Sequence, residues 1–261
     1  MSDFKARYGP WALVAGASEG LGAAFAAALA ARGLNLVLVA RREPLLKELA
    51  AQLTEQHAIQ VEPLAADLAD MDVCRTLIAS LGQDVGLLVC NAAYSAVGRF
   101  QDVGADALQQ ILAVNTAAPV ALARGLTPKL VARGAGGIIL MSSLSGNQGS
   151  ANIATYAASK AFNTVLAEGL WHELGEKGID VLASCAGAIR TPGYLSAQAG
   201  GEAPGILDAS AVAEQTLDAL GAGPVVVPGT LNKLASFVMR RLLPRRSAVR
   251  LMSNNTRELT G

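Results

Sequence analysis

The chain has 261 residues, of which 52% are hydrophobic and 16% charged, with 21 basic and 21 acidic side chains and no formal net charge. That is too apolar for a disordered chain, and a net charge of zero removes the global basic field that would draw in nucleic acid. Cys74, Cys90 and Cys185 are widely separated, match no metal-ligand spacing and cannot all pair, which points to a reducing compartment and no resident metal.

The first ten residues are polar. WALVAG (11–16) follows and runs into glycines, so it reads as a strand and not as the apolar core of a leader. Residues 20–32 form an Ala-rich helix that stops at Gly33. LNLVLVA (34–40) is a continuous apolar run, the mark of a strand covered on both faces. A helix over 43–56, a strand over 59–65, a helix over 71–81 and a strand over 85–92 come next. Residues 105–133 hold one or two helices, with Pro119 fitting only a helix start or a kink. A fifth strand (136–143), a long helix (155–177), a sixth strand (179–187), a helix (208–220) and a short last strand (224–228) complete the pattern.

Alternation of this kind predicts an α/β fold: a single-domain, Rossmann-type, doubly wound parallel sheet of about seven strands with helices on both faces. The whole chain, 1–261, reads as one domain. Residues 188–206, rich in Gly, Pro and Ser, read as a loop. Residues 231–261 read as a basic C-terminal helical extension, with Leu231, Leu234, Phe237, Val238 and Leu242 at helical spacing and seven Arg or Lys against Glu258. Such a helix either lies on a membrane surface or caps the substrate pocket or a subunit interface, and the second reading is preferred. No apolar run approaches the roughly 20 residues of a spanning helix, so a soluble, cytoplasmic protein is expected.

The first strand leads through Gly16-Ala17-Ser18-Glu19-Gly20-Leu21-Gly22 into a helix. Glycines there let the backbone turn tightly and approach a pyrophosphate, while the helix N-terminus supplies N–H groups and a positive dipole end. Gly16, Ser18, Glu19, Gly20, Leu21 and Gly22 are therefore candidate nucleotide-binding residues. A cofactor with free ribose hydroxyls usually meets an acid at the end of the second strand. Here Arg41 and Arg42 stand there instead. Guanidinium suits a 2′-phosphate, Ser18 adds a hydroxyl, and NADP(H) is the inferred cofactor. Glu19 has to face away from that phosphate or weaken the preference for it.

Tyr156 and Lys160 spell Y-x-x-x-K at a helix start, on one helix face. Tyrosine titrates near 10, and work near neutral pH asks for a value about 2–3 lower, or about 3–4 kcal/mol in favour of phenolate. Ser143 ends the fifth strand thirteen positions before Tyr156, and Ser142 alternates to the other face.

As a set, the G-x-x-x-G-x-G turn, the Y-x-x-x-K pair and Ser143 resemble the short-chain dehydrogenase/reductase family, over about residues 11–228. The resemblance implies reversible hydride transfer between a nicotinamide and a secondary alcohol or ketone. Tyr156 is then the acid/base, Ser143 the holder of the substrate oxygen, and Lys160 the group that binds the cofactor ribose and, with the oxidised nicotinamide, lowers the tyrosine pKa. Asn115 becomes a fourth catalytic residue holding a water linked to Lys160. The adenine side falls to Asp67 and Leu68, the pocket wall to Asn91 and Ala92, and the nicotinamide side to Gly187, Ile189 and Thr191. The helices at 105–133 and 155–177 would build a homodimer or homotetramer. Tyr8-Gly9-Pro10-Trp11, Glu19-Gly20 and Arg41-Arg42 are similar to a subgroup that includes bacterial 7β-hydroxysteroid dehydrogenases. Two departures affect the pocket walls: Cys90-Asn91-Ala92-Ala93 replaces the family's Asn-Asn-Ala-Gly, and Ala186-Gly187 its Pro-Gly.

The substrate is expected to meet Ser145, Asn147, Gln148, Asn152 and Ile153 after the fifth strand, and Tyr194 and Leu195 in residues 188–206, read as a substrate lid. That segment has no cation after Arg190, which favours a neutral lipophilic ketone or alcohol over an anionic one. A 3-oxoacyl thioester reductase is the alternative. A non-catalytic NADP sensor would lack Tyr156 or Lys160, and a serine hydrolase would need a histidine better placed than His57 or His172, both in helical runs.

Overall fold

The computed structural model describes residues 2–197 and 202–257. Its elements, in order, are α1 (Ser2–Tyr8), β1 (Trp11–Ala15), α2 (Gly20–Ala31), β2 (Asn35–Ala40), α3 (Glu43–His57), β3 (Val61–Ala65), α4 (Met71–Ser80) and β4 (Val85–Cys90). Then come α5 (Ala105–Leu112), a π-helical turn (Ala113–Ala117), α6 (Ala118–Arg133), β5 (Gly136–Ser143), a 3-10 turn (Leu144–Asn147), α7 (Ala154–Gly175) and β6 (Ile179–Ala186). The rest is β7 (Ile189–Arg190), α8 (Pro192–Ala197), β8 (Leu207–Asp208), α9 (Ala209–Asp218), β9 (Val225–Val226), α10 (Thr230–Phe237), a second π turn (Val238–Leu242) and α11 (Arg245–Arg257).

Seven strands form one parallel sheet in the order β3-β2-β1-β4-β5-β6-β9. Successive side chains of a strand point to opposite faces, and here both faces are dry. Leu36 and Leu38 of β2, with Leu87 and Val89 of β4, pack among Phe25, Leu29, Leu46 and Val212 from α2, α3 and α9. Their neighbours Val37, Val39 and Leu88 pack on the other face with Leu77, Leu122 and Leu126 from α4 and α6. This double burial is why the strands read as unbroken apolar runs. The strand order reverses between β1 and β4, and the crevice beyond their carboxyl ends is where such a sheet receives ligands.

Two segments depart from the sequence reading. The polar N-terminus contains helix α1, held by a few contacts. Tyr8 is buried, its hydroxyl donates to Asp180 Oδ2 at 2.7 Å, and Phe4 stacks on it with ring centroids 4.6 Å apart. Two aromatics four residues apart are too short a periodic signal to mark a helix. Residues 188–206 are not a plain loop: β7 pairs with β8, and α8 lies between them, while residues 198–201 of the expected lid lie outside the described residues. Residues 105–133 are one helical run widened by the π turn, with Pro119 at the start of α6.

The basic extension is helical, as its spacing predicts, although its last four residues lie outside the described ones. Its inward side is polar. Asn232 Nδ2 donates to Gly205 O at 3.0 Å and Pro228 O at 3.1 Å, and a Cβ on Gly187 would fall 2.8 Å from Asn232 Oδ1. Ser236 accepts from Asn147 Nδ2 at 3.1 Å, and Arg245 donates to Asn147 O at 2.6 Å. Ser253 accepts from Ala151 N at 3.0 Å. The tail thus lies across the segments that follow β5 and β6. No helix among the described residues is long and apolar enough to cross a membrane.

Candidate active site

The glycine turn is built by close approach. Gly16 has φ +86, and a Cβ on it would lie 2.5 Å from Ala92 Cα. A Cβ on Gly22 would lie 1.9 Å from Gly16 O. Asn91 Nδ2 donates to Gly16 O at 2.9 Å, so Asn91 ties β4 to this turn. A cleft of about 450 Å³ opens over it, bringing together Gly16, Ser18, Glu19, Arg41, Arg42, Asp67, Leu68, Asn91 and Ala92. Leu21 and Gly22 lie buried behind the cleft. Thr191 reaches the turn from the other side, its Cγ2 3.1 Å from where a Cβ on Gly20 would stand. Gly187 and Ile189 are engaged elsewhere, Gly187 against Asn232 and Ile189 in the pairing with Leu207.

Tyr94, Gln110 and Val114 also line the cleft and were not singled out in the sequence. They come from the loop after β4, from α5 and from the π turn, and only the folded sheet brings them to the β3 side. No local motif marks them.

Beyond the end of β2, Arg42 Nη2 contacts Ser18 Oγ at 2.9 Å and Glu19 Oε1 at 2.6 Å. Glu19 therefore faces the cation and does not turn away from it. Arg42 and Glu19 have 49% and 44% of their side chains exposed.

The tyrosine–lysine pair lies on α7 and is not part of that cleft's lining. Lys160 is 3% exposed, donates to Met141 O at 3.1 Å, and holds its ammonium 5.5 Å from the Tyr156 ring centroid. Burial pushes the Lys160 ammonium down to about 8. Burial also raises the Tyr156 phenol, and its hydrogen bond with Ser143 lowers it by less. The expected depression of the tyrosine is thus absent from the chain by itself. Desolvation of a phenolate outweighs one hydrogen bond, and Lys160 faces the ring and not the hydroxyl.

Ser143 Oγ accepts from the Ser145 hydroxyl at 2.8 Å and from Ser145 N at 3.2 Å. With both of those protons directed at it, the Ser143 hydroxyl is left to donate its own, the direction in which its bond to Tyr156 lowers the phenol. Ser142 points the other way, to Lys160 O at 2.7 Å and Thr164 Oγ1 at 2.8 Å, as strand alternation predicts.

Asn115 sits in the π turn, fully buried. Its Oδ1 accepts from Tyr94 N at 2.7 Å, and its Nδ2 donates to Tyr94 O at 2.9 Å and to Ser159 Oγ at 3.0 Å. Both amide protons are used, so the side chain ties the loop after β4 to α7 and has no donor left for a water beside Lys160. Single-turn π segments of this kind are frequent at functional sites.

The expected substrate residues separate into two groups. Ser145 is buried behind Ser143, Asn147 is held by the tail, and Gln148 is buried with its Nε2 on Leu144 O at 3.3 Å. Ile153 and Asn152 instead line a second cavity of about 270 Å³ with Ala96, Phe100, Val103 and Ile111. Tyr194 accepts from Ala203 N at 3.0 Å, and Leu195 is exposed.

A parallel sheet with a glycine-turned helix over its switch point, and a tyrosine–lysine pair on the helix that follows β5, defines an oxidoreductase of the nicotinamide-binding kind. The cradle fits such a dinucleotide: the turn leaves no room for side chains where a pyrophosphate approaches, and α2 offers its N-terminus. The family profile described as short chain dehydrogenase matches residues 10–199, and the chain belongs to that family. It is 34% identical over 194 residues to the 7β-hydroxysteroid dehydrogenase of Clostridium sardiniense, covering 74% of each chain. It superposes with a TM-score of 0.89 on a structure solved in a study of 7β-hydroxysteroid dehydrogenase stereoselectivity, at 28% identity and covering 95% of this chain and 98% of that one. A short-chain dehydrogenase from Sphingobium yanoikuyae solved with NADPH gives 0.78 at 30% identity, covering 90% and 96%.

Proposed function

We propose that the protein interconverts a secondary alcohol and a ketone with NADP(H), on a bulky lipophilic substrate of the hydroxysteroid kind. The observation that carries this reading is the placement of a glycine-turned cleft walled by Arg41 and Arg42, and of the Ser143–Tyr156–Lys160 group, at the carboxyl ends of the strands of one parallel sheet. Arg41, Arg42 and Ser18 take the place of the ribose-binding acid, and they would hold the 2′-phosphate. The pyrophosphate would lie on the glycine turn, and Asp67 and Leu68 would border the adenine.

The nicotinamide, when bound, gives or takes the hydride. In the reductive direction Tyr156 donates its proton to the carbonyl oxygen as charge develops there. Ser143 directs its hydroxyl proton at the same oxygen, oriented by Ser145 from behind. Lys160 and the cationic form of the nicotinamide favour the phenolate, which burial alone opposes. Asn115 is a positioning residue that keeps α7, and hence Tyr156, in register with the loop after β4.

A neutral substrate is supported by Arg190, the cation of the 188–208 segment. Glu202 pairs with it through two 2.9 Å contacts and Asp208 pairs with it as well, so no free charge is offered to an anion there. Exposed Val120 on α6 and Phe162, Val165 and Trp171 on α7 support a homodimer or homotetramer, which light scattering would measure.

The test is a pair of measurements. Fluorescence titration should show tighter binding of NADPH than of NADH. Initial rates with NADP(H) should be higher on a hydroxysteroid and bulky-ketone panel than on short 3-oxoacyl thioesters. Faster thioester reduction would replace the substrate reading, and failure to bind either nucleotide would remove the enzymatic one.

A further inference from the structure

The phosphate end of the cleft contains a carboxylate that the cofactor reading does not require. Glu19 is the N-cap residue of α2, yet its side chain makes no capping hydrogen bond. Its Oε1 lies 2.6 Å from Arg42 Nη2, the same nitrogen that contacts Ser18 Oγ at 2.9 Å. One edge of the Arg42 guanidinium is thus already occupied by oxygens of this chain. Arg41, one residue earlier on the same wall, makes no ion pair among the described residues.

We propose that Glu19 competes with the cofactor's 2′-phosphate for Arg42, and so sets how far the site discriminates between phosphorylated and unphosphorylated nicotinamide dinucleotides. The proposal rests on the NADP(H) reading above and deepens it. A phosphate arriving at Arg42 must displace the carboxylate or settle against it. Displacement breaks a half-exposed ion pair, and settling places like charges together in a site open to water. Either cost is small, because exposed pairs are weak and screened. An unphosphorylated ribose meets the opposite situation: its hydroxyls are donors, and a carboxylate is the acceptor that such hydroxyls ordinarily find at this edge of the fold. One side chain therefore penalises the phosphate and tolerates its absence. Arg41, which makes no ion pair among the described residues, supplies attraction for the phosphate that Glu19 does not cancel.

The test is equilibrium binding, read by nicotinamide fluorescence and by calorimetry with adenosine 2′,5′-bisphosphate. The proteins are wild type, Glu19→Gln, Arg42→Ala and the double variant, each checked for an unchanged melting temperature. Glu19→Gln should tighten NADPH and the bisphosphate by about two- to fivefold, the range that a weak exposed pair allows. NADH should change by less than twofold. The gain should disappear in the Arg42→Ala background and shrink in 0.5 M salt. Equal effects on both nucleotides, weaker NADPH binding, or a gain that survives without Arg42 would overturn the proposal. A wild-type preference for NADPH that Glu19→Gln leaves unchanged would sink this inference alone. Absence of any NADPH preference in both proteins would sink the cofactor reading together with it.

Discussion

The two halves of the candidate site treat charge in opposite ways. Lys160 is held almost out of contact with water, with one carbonyl acceptor and a ring face nearby, and its ammonium is destabilised by the burial. Arg42 and Glu19 stand about half in solvent, and their attraction is shared with water and salt. A group at the dry end is positioned by the whole core and acts strongly on its neighbours. A group at the wet end is adjustable and individually weak. The proposed function puts its chemistry at the first and its choice of nucleotide at the second.

This contrast can be broken most sharply at Tyr156. Tyr156→Phe should lower turnover about 10³-fold, the scale of losing a positioned acid, while NADPH titrates nearly as in wild type. Normal turnover would remove the tyrosine from its role.

Lys160→Met comes next, with about a 10²-fold loss in turnover expected and a separate signature in stability. Lys160 titrates at about 8 in the folded chain against an ordinary 10.5. Between those values the unfolded chain binds a proton that the folded one does not, so stability contributed by this group rises with pH, by up to about 3 kcal/mol. Below pH 8 both states are protonated and the folded chain carries the full burial penalty. Melting temperatures compared at pH 7.5 and 9.5 should show a smaller rise in the variant than in wild type.

Gly22→Ala tests the turn between the two ends. Its Cβ would fall 1.9 Å from Gly16 O, and the resulting overpacking costs about 1–3 kcal/mol. Binding of both nucleotides should fall by about tenfold or more, and unchanged calorimetric titrations would show that the turn yields.

Arg42→Ala is the smallest effect. It should weaken NADPH about fivefold at low salt and less at 0.5 M salt, with NADH unaffected. A loss as large as at Lys160 would mean that the phosphate end is not wet at all.

How much could be read before folding follows the same division. The glycine turn, Arg41-Arg42, Tyr156, Lys160 and Ser143 are each set by a local spacing along one strand or helix, and the sheet brings them to its carboxyl edge. The strands were legible because double burial removes polar residues from them. What a one-dimensional pattern could not contain is contact across the chain. Asn115 bonding to Tyr94 and Ser159, Ser145 lying behind Ser143, and Asn147 held by Ser236 and Arg245 all join segments with no local signal. The Tyr156 phenol is the most instructive difference. Proximity to a lysine in the sequence suggests a lowered pKa, while the burial that the sheet imposes raises it.

Asn232 binds the backbone at Gly205 and Pro228 and covers Gly187, so a residue of the last helices completes a wall begun after β6. A domain folds as a unit, so this wall is complete only once the last helices have been made and have docked.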